Sequence, residues 1–91
     1  MPDTVSATFK IVNRRGLHAR ASAKFVNLAG QFRSEITVTK DGTEVCGTSI
    51  MGLMMLAAAP GQSVTVTAVG DDAGEAISAL RDLVAAKFDE D

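Results

Sequence analysis

The residues with chemistry to offer are gathered in Arg14-Arg15-Gly16-Leu17-His18-Ala19-Arg20-Ala21-Ser22. This stretch holds the only histidine of the chain. Imidazole titrates near neutrality and makes a usable nucleophile. Ahead of it, Val5 to Val12 alternates like a strand; behind it, Ala19 to Ala29 is rich in helix formers and free of Gly and Pro. A helix starting at Ala19 leaves its first backbone N–H groups without intrahelical partners, and such groups bind anions. Arg20 places a fixed positive charge and a planar donor fork beside the same point. The chemistry this suggests is a histidine that accepts a phosphoryl group. From the residues alone the competing readings are bland ones: His18 as a surface residue or simple cap, Arg14 and Arg15 as solvated charges, and Gly16 as a turn residue needing positive φ.

The elements that must position these groups follow from periodicity. Val5, Ala7, Phe9 and Ile11 fall on one face of the first strand, with Ser6, Thr8 and Lys10 on the other. Phe25, Val26 and Ala29, with Ser22 or Ala21 one turn back, give the first helix an apolar stripe, and Gly30 suits its left-handed C-terminal end. Ser34 to Lys40 alternates again, with Ile36 and Val38 inward, and Asp41-Gly42 is a two-residue hairpin signal leading into a short antiparallel strand, Thr43 to Cys46. Ser49 is a good N-cap for a short helix, Ile50 to Leu56. That helix is apolar almost all round. Leu53 and Leu56 are expected in the core, and some of Ile50, Met51, Met54 and Met55 must face solvent as an adaptable docking patch. Pro60-Gly61 turns the chain, Ser63 to Val69 alternates with Val64, Val66 and Ala68 on one side, and Asp72 with Glu75 predicts a capping box. The last helix carries Ala76, Ile77, Leu80, Leu83, Val84 and Phe88 at spacings of three and four. The order β-α-β-β-α-β-α, with a hairpin inside it, predicts an α+β fold: a two-layer open-faced β-sandwich whose four-stranded antiparallel sheet is covered on one face by three helices.

Length and composition bound the rest. Ninety-one residues suit one domain over 1–91. An apolar share of 46% suits a packed core rather than a disordered chain. A net charge of -2 and the lack of Trp and Tyr argue against nucleic acid as a partner. The basic residues lean to the front half and Phe88-Asp-Glu-Asp91 is acidic, so the face around the first helix suits an acidic partner. Cys46 stands alone, which excludes an intramolecular disulfide and a thiol metal clip, and there is no second histidine for a metal pair. No signal-peptide pattern opens the chain, and the run Leu53 to Pro60 is too short to span a bilayer. The expectation is a cytoplasmic protein without metal, cofactor or membrane insertion. Gly47 to Gly52 superficially matches a phosphate-binding loop but lacks the Lys-Ser/Thr that follows in one. A site at a helix tip of so small a domain offers no deep substrate pocket, so the chain reads as a substrate of larger enzymes and not as an enzyme.

Gly16-Leu17-His18-Ala19-Arg20, Ser34-Glu-Ile-Thr-Val and Thr48-Ser49-Ile-Met-Gly-Leu-Met resemble the HPr family, the histidine-containing phosphocarriers of the phosphoenolpyruvate-dependent phosphotransferase system. The likeness runs from Val5 to Phe88 in the same element order. It implies that His18 is phosphorylated on ring Nδ1 by Enzyme I and passes the group to a IIA protein or domain. Arg20 and the backbone N–H groups of Ala19 and Arg20 would steady the phosphoryl group. Ser49 matches the regulatory serine, the target of HPr kinase/phosphorylase, and Ala21, Ile50, Met51 and Met54 would form the partner-docking face of a monomer. Two departures stand out. Ala21 replaces the usual proline after the arginine, which looks more like the nitrogen-related phosphotransferase branch, and Asn27 and Gly52 stand where docking lysines are often found. The other function weighed is a regulatory binding module that acts through Ile50, Met51 and Met54 without phosphotransfer.

Overall fold

The computed structural model describes residues 3–89. The expected order is observed: β1 (Asp3–Lys10), α1 (Ala19–Ala29), β2 (Glu35–Lys40), β3 (Thr43–Cys46), α2 (Ile50–Leu56), β4 (Ser63–Gly70), α3 (Ala73–Ala85) and a final turn, Lys87–Asp89. The four strands form one antiparallel sheet in the order β1-β4-β2-β3. α3 packs on β1 and β4, while α2 packs on β3 and β2 and against α1.

Side-chain alternation sorts the sheet into two chemically opposite faces. Inward are Phe9, Ile36, Val38, Val64, Val66 and Ala68, all buried against Phe25, Leu53, Ile77, Leu80 and Val84 from the helices. Outward, the registers Ser6↔Thr67, Thr8↔Thr65, Thr67↔Thr37 and Thr65↔Thr39 line hydroxyls in rows across three strands. Ser6 and Thr67 are hydrogen-bonded side chain to side chain, as are Thr8 and Thr65 at 3.3 Å. The hairpin between β2 and β3 turns on Asp41 (φ 50) and Gly42 (φ 82), the two successive positive φ angles that an Asp-Gly pair supplies.

Several local expectations give way to tertiary contacts. β1 spans Asp3–Lys10 instead of Val5 to Val12, although Ile11 stays tied to the turn before β4 through Ile11 N–H to Gln62 O and Gly61 N–H to Ile11 O, both 2.8 Å. Gly30 is right-handed (φ -68), because the chain keeps coiling after α1: Gln31 N–H reaches Leu28 O and Phe32 N–H reaches Ala29 O. Asp72 makes no side-chain cap for α3. Its carboxylate instead accepts the Ser34 hydroxyl (2.6 Å) and the N–H groups of Ser34 (2.9 Å) and Arg33 (2.8 Å), fastening the entry of β2 to the entry of α3. That hydroxyl and then the Arg33 N–H hold the Asp72 carboxyl below the usual carboxylate range. Phe88 is buried, as its spacing predicts, but it lies beyond α3 in a turn where Lys87, Phe88 and Asp89 are all left-handed. Burying a phenyl ring contributes roughly 1.5–3 kcal/mol, which offsets part of the cost of this backbone. Lys24 Nζ donates to Phe88 O at 2.7 Å and ties this turn to α1. The last two residues of the acidic tail, Glu90 and Asp91, lie outside the described residues.

Candidate functional site

The loop between β1 and α1 is held from below at every step. Asn13 is fully buried, and its Nδ2 donates to Gly16 O at 2.8 Å. Gly16 takes φ 65, and a Cβ there would stand 2.3 Å from Ala58 O, so only glycine allows the close approach of the two backbones. Leu17 N–H donates to that same Ala58 O at 3.0 Å, and the Leu17 side chain is buried. His18 N–H then donates to Gly16 O at 2.9 Å. The result is a fixed platform under one imidazole.

His18 is the N-cap residue of α1, with extended backbone (φ -75, ψ 179), and its side chain makes no cap hydrogen bond. The first helical bond runs from Ser22 N–H to His18 O at 2.8 Å. The N–H groups of Ala19, Arg20 and Ala21 precede it, so none has a carbonyl four residues back within the helix. No acidic residue stands in the first turn of α1, and the positive end of the helix dipole is not neutralised by its own side chains. Arg20 is exposed and His18 half-buried. His18 thus stands at the N-terminal end of α1, with Arg20 in the first turn of the same helix. Ser22 is buried and ties α1 to this loop by donating its hydroxyl to Leu17 O at 3.2 Å. Ala21 is a correction: it is completely buried under α1, so its methyl packs the core and offers nothing to a docking partner.

Ser49 caps α2, its Oγ accepting Gly52 N–H at 3.0 Å. Leu53 and Leu56 are buried, whereas Ile50, Met51, Met54 and Met55 are exposed, the two outermost methionines by 73% and 75%. A seven-residue helix lying on a sheet can bury only one stripe, which forces this split. α2 ends at Ala57 in a left-handed conformation (φ 52), and the next residue supplies the carbonyl that holds Leu17. One short helix thus carries Ser49 at its start, the apolar patch on its flank and the support of the histidine loop at its end. Asn13 and Ala58 are the supporting residues that sequence reasoning missed. Asn13 showed only as a turn former, and Ala58 acts through its backbone, which leaves no signal in residue type. Cys46 is exposed, and its thiol is drawn below its ordinary range by the Thr48 hydroxyl and backbone. Among the described residues no group of His, Cys, Asp and Glu could hold a metal, and no helix is long and apolar enough to cross a membrane.

Residues 5–86 match the family model described as the HPr component phosphorylation site of the phosphotransferase system. The chain belongs to the HPr family. A phosphocarrier protein HPr of Neisseria meningitidis is 52% identical over 83 residues, covering 91% of this chain and 93% of its own. A phosphocarrier protein NPr of Shewanella violacea is 42% identical and covers 88% of each chain. Among solved structures, an HPr from Thermoanaerobacter tengcongensis superposes with a TM-score of 0.92 at 47% identity, over 96% of this chain and 98% of that one. This HPr-family chain is accordingly a phosphoryl carrier and not an enzyme, and its fold is the HPr fold. It moves phosphoryl groups from Enzyme I towards IIA proteins.

Proposed function

We propose that His18 is the acceptor through which this carrier takes and releases its phosphoryl group, bound at Nδ1. The observation that carries the reading is the histidine's seat: N-cap of α1, not used as a cap, with first-turn amides beside it. The imidazole lone pair attacks phosphorus as the bond from the donor's nitrogen to phosphorus breaks, and that electron pair leaves with the donor. The reverse exchange delivers the group to a IIA acceptor. Because one nitrogen–phosphorus bond replaces another, the step needs alignment and charge stabilisation more than side-chain chemistry. The Ala19 and Arg20 amides and the Arg20 guanidinium supply donors for the phosphoryl oxygens.

Ile50, Met51 and Met54 form the docking face of this reading, and Ser49 is its regulatory position, the substrate of an HPr kinase/phosphorylase. A phosphate on Ser49 would sit at the start of α2, where the dipole favours it, while bringing negative charge to the rim of the patch. Phosphoenolpyruvate with Enzyme I should charge the wild-type chain with an acid-labile phosphoryl group. The adduct should vanish in His18→Ala and persist in Ser49→Ala; a His18→Ala chain that still charges would overturn the assignment. The exposed apolar patch also supports a second reading, a binding module that regulates a partner without phosphotransfer. It predicts that partner binding is unchanged by His18→Ala and lost in Met51→Glu.

A further inference from the structure

The sheet order puts β1 at the edge away from β3, so the β1–α3 side of the molecule lies apart from the α2 patch. On that side a groove of about 230 Å³ opens between the end of β1 and the second half of α3. Phe9, Val12, Val84 and Ala85 give it an apolar lining, and Thr8, Lys10 and Arg81 complete its wall. Val12 is 42% exposed, an aliphatic side chain left uncovered beside those charges. No carboxylate lines the groove. The residue paired with Lys10 on β4 is Ser63, and one turn from Arg81 stand Ile77, Ser78, Val84 and Ala85. Among the described residues neither cation has an ion pair.

We propose that this groove binds a small amphipathic carboxylate: a short aliphatic chain lying on Val12 and Val84, with its single carboxylate between Lys10 and Arg81. The charge calls for an anion, and a guanidinium fork is best matched by the planar carboxylate. The lining calls for methylene groups, not a second charge. The volume sets the size. An apolar cavity of about 150 Å³ holds benzene, so a groove of about 230 Å³ suits a ligand somewhat larger, the size of hexanoate.

The test is a titration of the ¹⁵N-labelled full chain with sodium hexanoate, with acetate and 1-hexanol as controls at matched ionic strength. Saturating amide shifts at Thr8, Lys10, Val12, Arg81 and Ala85 are expected, with a Kd of about 1–10 mM for a ligand of this size. Acetate and hexanol should each bind at least tenfold more weakly. The double variant Lys10→Gln/Arg81→Gln should weaken hexanoate at least tenfold with an unchanged melting temperature. Shifts that do not saturate, equal binding of hexanol, or shifts centred on Met51 and Met55 would each overturn the proposal. So would shifts of the groove residues on concentrating the protein without ligand, which would assign the groove to a second copy. The readout does not depend on His18, so it stands or falls apart from the phosphotransfer reading.

Discussion

Replacing Gly16 by alanine tests whether the support under His18 is as tight as its geometry implies. An alanine at φ 65 pays roughly 1–2 kcal/mol for the left-handed conformation alone. Its Cβ would also stand 2.3 Å from Ala58 O, about 1 Å inside the ~3.5 Å of ordinary contact, with backbone on both sides and no flexible side chain to yield. Separating the two strands of chain breaks the Leu17–Ala58 hydrogen bond, worth about 1 kcal/mol. The sum is about 2–3 kcal/mol, or roughly 10–20 °C in melting temperature for a domain of this size. Gly42→Ala is the matched control: φ is 82 there, but nothing lies within 4 Å of the added methyl, so only the conformational cost applies. Thermal unfolding should therefore rank wild type above Gly42→Ala above Gly16→Ala. Charging by Enzyme I, measured well below both transitions, should be near normal in Gly42→Ala and at least tenfold slower in Gly16→Ala, since an ångström of misplacement can cost about a hundredfold. Equal melting temperatures in the two variants, with wild-type charging in Gly16→Ala, would refute the reasoning.

Other perturbations have definite signs. Ser49→Ala removes the Oγ that accepts Gly52 N–H and should cost about 1 kcal/mol by denaturant unfolding, whereas Ser49→Asp should keep the cap and weaken binding to an acidic partner in calorimetry. Asp72 has a folded-state pKa below its unfolded value, so its contribution is full above about pH 4 and disappears as pH falls through the lower folded value. Melting curves of wild type and Asp72→Ala should accordingly differ most near neutrality and converge in acid. Ala57→Gly should stabilise the chain by about 0.5–1 kcal/mol, because relief of the left-handed strain exceeds the entropy that glycine adds to the unfolded state. An unchanged or lower unfolding midpoint would show that the αL conformation carries no strain there.

What the sequence made legible was whatever is written locally. Alternation located β1, β2 and β4, Asp41-Gly42 produced the turn it advertises and with it β3, and the Ser49 cap and the split between Leu53 and the exposed methionines followed from helix geometry. The place of His18 at the start of α1 was legible because one strand, one turn and one helix start meet there in sequence order. Tertiary competition hid the rest. Asp72 carries every mark of an N-cap, yet the Arg33 and Ser34 donors arrive from a loop 38 residues away and win its carboxylate. Periodicity left Ser22 and Ala21 as alternatives for the buried stripe, and the structure buries both, so the docking role that the resemblance implied for Ala21 does not fit. Ala58 supports the histidine loop with a carbonyl, a group every residue has, and so could be seen only in three dimensions.

The position of β1 in the sheet has a bearing on biosynthesis. Among the described residues its one strand partner is β4, so Asp3 waits for Gly70 and Lys10 for Ser63. Closing that distance carries the entropic cost of a long loop, and contacts so remote in sequence come slowly. On the ribosome, then, the strand that leads into His18 emerges early and stays unpaired until most of the chain has been translated. The proposed phosphoryl seat at His18 is completed late, and a nascent fragment that already displays the histidine should be a poor substrate for Enzyme I.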